Sequence, residues 1–66
     1  MLRSHPIAVQ GHFVGAAVLL EQGYRFIATH PRVEDLDGAV RPALADIQRL
    51  ADGLWLSGRL GAAVAA

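Results

Sequence analysis

The sequence predicts an α+β domain in which a small antiparallel three-stranded meander is followed by one amphipathic helix packed on one face. Three observations carry this. In FVGAAVLLEQGYRFIAT, the pair Gln22-Gly23 separates two apolar runs, as the tip of a hairpin does, because Gly tolerates the positive φ of a tight turn. From Leu44 to Trp55, apolar residues recur at helical spacing. Between these regions, HPRVEDLDGAVRP places Pro31 and Pro42 around an Asp-Gly and charges of both signs, the chemistry of a connection.

The first strand is expected at about 6–10, PIAVQ, with Pro6 at its start where no ladder donor is needed and Gly11 as a bend or bulge. The second, at about 12–21, is ambiguous by periodicity. Ala16, Ala17, Leu19, Leu20, Glu21 and Gln22 are good helix formers and Gly23 would cap a helix, so residues 12–22 read as helix or strand. The pairing that a tight turn imposes favours strand. The third strand, at about 24–29, is aromatic and β-branched from Tyr24 to Thr29.

A two-residue turn at Gln22-Gly23 pairs Glu21 with Tyr24, Leu19 with Phe26 and Ala17 with Ala28 on one side of the ribbon. On the other side it pairs Leu20 with Arg25, Val18 with Ile27 and Ala16 with Thr29. Both sides are largely apolar, whereas a sheet with one wet face alternates cleanly.

The helix is expected at about 42–57. Pro42 suits its first position, where the missing N–H is no loss, although Arg41 is a poor N-cap. At about 100° per residue, Leu44, Ile47, Ala51, Leu54 and Trp55 form one stripe with Leu50 at its margin, and Asp46, Arg49 and Gly53 fall opposite. Ser57-Gly58 supplies a stop. Residues 1–58 then form a single domain, and RLGAAVAA, residues 59–66, reads as a flexible Ala-rich tail.

Size makes this domain marginal. With 66 residues, a single core rarely supplies more than about 3–5 kcal/mol. The sequence has no Cys, which closes the disulfide and thiolate-metal routes to extra stability and leaves association with itself or with a larger protein. Apolar residues make up 53% and charged residues only 18%, an excess of apolar surface for so small a sphere. Six Arg balance six acids, so no net field draws the chain to nucleic acid or an anionic membrane. The N-terminal segment has the outline of a secretory signal, but Pro6, Gln10, Gly11 and His12 interrupt it. The longest apolar run, Phe13 to Leu20, is eight residues, against the roughly 20 a bilayer needs. A soluble cytoplasmic protein without a membrane partner is the expectation.

Motifs for chemistry are sparse. Asp35, Asp37 and Gly38 imitate the middle of a calcium loop, but its register requires acids where Val33 and Leu44 stand. His5, His12 and His30 lack metal-ligand spacing, although a meander would bring His12 and His30 towards one end of the hairpin, where Asp35 would complete a weak site. Ser4, Thr29 and Ser57 lie in no nucleophile elbow, and Gly11 and Gly15 are followed by no Lys-Ser/Thr. No catalytic residue, metal site, cofactor or small-molecule substrate is assigned.

Two functional classes follow. The leading one is a non-catalytic interaction module, a homodimer or higher oligomer or an accessory subunit of a larger complex. Its interface is the sheet face the helix leaves open, with Val14, Ala16, Val18, Leu20 and Ile27. The alternative is a DNA-binding β-ribbon of a mobile element, using Arg25, Thr29, Arg32 and Arg41, since a two-stranded ribbon fits a major groove. In element order it resembles small DNA-binding modules of integrase type, a likeness that no motif carries. A small inhibitor or accessory protein of phage or plasmid origin fits the same features as the first class.

Overall fold

A computed structural model describes residues 3–65, with side chains through residue 57. It contains strand β1 (Ser4–Val9), β2 (His12–Leu20), β3 (Gly23–Ala28), a 3₁₀ turn (Pro31–Leu36), β4 (Val40–Arg41) and helix α1 (Leu44–Ala65). The four strands form one antiparallel sheet in sequence order, and α1 lies across one of its faces. The α+β class, the meander and the single helix are as the sequence predicts, and the stretch 12–22 is strand. The short β4 is an addition. It forms because the connection folds back along β3, with Phe26 donating to the Ala39 carbonyl at 2.8 Å and Gly38 to the Phe26 carbonyl at 2.8 Å.

Both hairpin turns sit differently from expectation. At Gln10-Gly11 the two turn residues have φ of 50° and 81°, and Val9 pairs with His12, so the expected bend or bulge at Gly11 is a tight mirror-image turn that takes in Gln10 as well. At the second turn Leu20 pairs with Gly23, so the turn residues are Glu21 and Gln22. Ala17 therefore opposes Phe26, where Ala28 was expected, and Ala16 opposes Ile27 instead of Thr29. The partner shifts by two residues, which preserves the face of every side chain, because the strand period is two. Gly23 has a φ of 135°, and an added Cβ there would lie 2.4 Å from the Arg41 carbonyl. Only glycine allows β4 to run so close to the turn.

The register between β1 and β2 breaks between Ile7 and Ala8. Ile7 opposes Gly15 while Ala8 opposes Phe13, leaving Val14 as the extra residue of a β-bulge. The bulge resets the alternation of β2. His12 and Val14 face the helix before it, and Gly15 and Ala17 face the helix after it. A Cβ on Gly15 would stand 2.7 Å from the Phe26 ring and 2.3 Å from the Ile27 carbonyl, so the absent side chain is what lets Phe26 lie flat across the neighbouring strand.

The core joins Ile7, Val9, Val14, Ala17 and Phe26 from the sheet with Val33 from the 3₁₀ turn and Ile47, Ala51 and Trp55 from α1. Leu44 and Leu54 pack against it, which is the stripe read from the sequence, and Gly53 on the opposite side meets nothing within 4 Å. Pro42 lies outside α1, which starts at Leu44 and continues past the expected stop to Ala65. Gly58 does not end the helix in the backbone. The flexible tail expected at 59–66 lies, in its side chains and last residue, outside the described residues.

Candidate interaction surface

The connection HPRVEDLDGAVRP has structural roles. The His30 imidazole Nδ1 accepts from the Arg32 N–H at 3.1 Å, capping the 3₁₀ turn, with Pro31 at its start. Asp37 places Oδ1 2.9 Å from the Ala28 N–H, taking the position of a missing ladder acceptor at the end of β3. Val33 leaves the helical region at φ −117° and ψ 16° and drops its side chain into the core. The carboxylate of Asp37 thus serves the backbone of β3.

His12 and His30 do converge, and what gathers them is Trp55. The His12 ring stacks on the indole with centroids 5.1 Å apart, and the His30 ring meets it edge-on at 5.0 Å. The Arg32 guanidinium lies 3.9 Å from the indole centroid and donates through Nη2 to the Trp55 carbonyl at 2.6 Å. A cation over an indole face contributes about 0.5–1 kcal/mol, more when desolvated. This cluster ties β2, the β3 corner and the 3₁₀ turn to α1. Among the described residues no three His, Cys, Asp or Glu side chains are grouped to hold a metal ion, and no pocket is formed.

The face of the sheet away from α1 has four rows. Ser4, Val18, Arg25 and Val40 cross it in one row, Pro6, Ala16 and Ile27 in the next, and Ala8 and Phe13 in the third, with Leu20 opposite Gly23 at the turn end. Phe13 is 56% exposed and Ile27 39%, and both border the shorter Ala16, Phe13 along β2 and Ile27 across on β3. Arg25 is the single charged side chain on this face among the described residues, at its β4 margin.

Four of the five interface residues expected from the sequence, Ala16, Val18, Leu20 and Ile27, lie on this face. Val14 does not. It is 0% exposed in the core, because the bulge turns it towards α1 and gives the outer position to Phe13. The alternation of HFVGAAVLL alone contains no mark of that phase change; Gly15, the one residue able to lie beneath the Phe26 ring, was the available hint.

The four residues of the nucleic-acid reading are divided between surfaces. Arg25 and, by strand alternation, Thr29 lie on the outer face. Arg32 is drawn to Trp55, and Arg41 opposes Tyr24 on the helix side, with its Nη1 donating to the Val40 carbonyl at 2.7 Å. They do not form one basic surface.

The open edge of β1 is protected. Leu19 donates to the Arg3 carbonyl, so by the alternation of an antiparallel ladder the backbone groups of Ser4, Pro6 and Ala8 point away from β2. Pro6 has no N–H to offer, and the Ala8 carbonyl accepts from Gln48 Nε2 at 2.8 Å. Gln48 is held by Asp52 Oδ1 at 2.9 Å. Addition of another strand here meets one absent donor and one occupied acceptor.

Comparisons with protein-family models, with curated proteins and with solved structures gave no match to this chain. Among the described residues no helix is long and apolar enough to cross a membrane.

Proposed function

We propose that the chain is a non-catalytic protein–protein interaction module of the cytoplasm, which self-associates or seats in a larger assembly through the outer face of its sheet. The observation that supports this reading is the run of Ala8, Phe13, Ala16, Val18, Leu20, Ile27 and Val40 over a face that α1 leaves uncovered. Contiguous apolar patches above a few hundred Å² are rare on monomers and mark contact sites. The excess of apolar residues over charged ones in the composition points the same way, since α1 covers only one side of the sheet.

The test is sedimentation velocity from low to high micromolar concentration. Wild type is expected to run heavier than its 7.0 kDa monomer as concentration rises. Ile27→Asp puts a carboxylate at the centre of the patch without touching the core, and is expected to remain monomeric with an unchanged circular dichroism spectrum. A wild type that stays monomeric throughout removes the basis for self-association. The nucleic-acid reading predicts binding to duplex DNA that weakens steeply with added salt; with Arg25 the single cation on the outer face among the described residues, none is expected.

A further inference from the structure

We infer that the occupant of the outer sheet face is a second copy of this chain, stacked sheet on sheet about a two-fold axis that passes over Ala16, to give a closed dimer. The inference rests on the interaction-module reading and adds the partner, the centre of the contact and its closure. The relief of the face suits a copy of itself. Ala16 is in an inner row of the sheet, between Pro6 and Ile27, with Val18 and Phe13 in the rows on either side. An in-plane two-fold over that point sets Ala16 against its own counterpart and lets the taller Phe13 and Ile27 of each copy close around the low centre of the other.

Charge agrees with a like partner. The formal net charge is zero, so two copies approach without net repulsion. Arg25 lies in the next row and one strand away from Ala16, which keeps the two guanidinium groups off the axis and over the margins of the opposing sheet. Edge growth, the open-ended alternative, is opposed by Pro6 and by the Gln48 bond to Ala8 on β1, and on the other side by the shortness of β4, two residues long. Of the sheet's surfaces the outer face, which holds the exposed Phe13 and Ile27, is the one left open, and a face used up by a two-fold contact cannot propagate. With strands about 4.8 Å apart and about 3.3 Å per residue, the patch is on the order of 500 Å². Two such patches bury about 1,000 Å², the lower end of specific interfaces and the size of weak, reversible contacts.

The experiment is nuclear magnetic resonance on an equimolar mixture of isotope-labelled and unlabelled wild-type chain at near-millimolar concentration, filtered for contacts between copies. The expected result is intermolecular contacts from the methyl groups of Ala16, Val18 and Ile27 and from the Phe13 ring, none from Ala45 on exposed α1, and a species that stops at the dimer in sedimentation. Ile27→Asp is expected to weaken the association about tenfold or more. Intermolecular contacts confined to β1 or α1, or species that keep growing beyond the dimer, would overturn the two-fold stack while leaving self-association intact. Absence of any intermolecular contact together with a monomer in sedimentation overturns both.

Discussion

Single residues decide which side chains reach the open face, and Gly15 is the clearest case. The bulge at Val14 turns two successive positions of β2 towards α1, and one of them must be without a side chain for Phe26 to reach across. Ala at that position would bring a Cβ within 2.3 Å of the Ile27 carbonyl, where backbone and not a flexible side chain is the obstacle. Gly15→Ala is therefore expected to destabilise the domain by about 3 kcal/mol, the upper end of overpacking costs. Against a core of this size that approaches the whole stability. A urea titration followed by the emission of Trp55, the chain's one Trp, measures it, and a variant as stable as wild type would refute the role given to the bulge. Trp55 suits the measurement because it is 4% exposed beneath His12, His30 and Arg32.

Elements were legible where their signal is local. The stripe Leu44, Ile47, Ala51, Leu54 and Trp55 packs as read, since helical period and burial coincide. The register of the second hairpin was misplaced, yet the faces survived because the error was an even one. What escaped the sequence depends on distant chain: the bulge, which follows from fitting β1 against β2, and β4, two residues that become a strand only because β3 lies beside them. The start of α1 shows the same limit. Pro42 reads as a first helical residue but lies before the helix, and Ala43, whose carbonyl accepts from the Asp46 N–H at 3.1 Å, stands at the N-cap. Ala has no side-chain oxygen to offer the free N–H groups of the first turn, and Asp46 supplies only its charge there. Ala43 is exposed, so a new side chain there meets no packing obstacle. Ala43→Ser is expected to stabilise the domain by about 0.5–1 kcal/mol, seen as a higher urea midpoint at unchanged slope.

For the whole molecule, stability and association are one equilibrium. Among the described residues nine apolar side chains are buried in the core, and the sheet's other face adds to it only when something covers that face. A ligand that binds the folded state alone raises stability by mass action, and for a self-associating chain the ligand is the chain itself. The thermal midpoint is therefore expected to rise with protein concentration, by a few degrees between about 10 µM and 1 mM, since about 1 kcal/mol moves the midpoint of a domain this small by roughly 4–8 °C. Ile27→Asp separates this effect from ordinary folding. Its side chain projects from the face opposite α1, so the core is unchanged, while the carboxylate cannot be stacked against an apolar copy without losing its water. Its midpoint should be independent of concentration and should match wild type at high dilution. If instead wild type melts at one temperature across that range, the outer face contributes nothing to stability through association. The exposed Phe13 and Ile27 would then be tolerated apolar surface rather than a contact site.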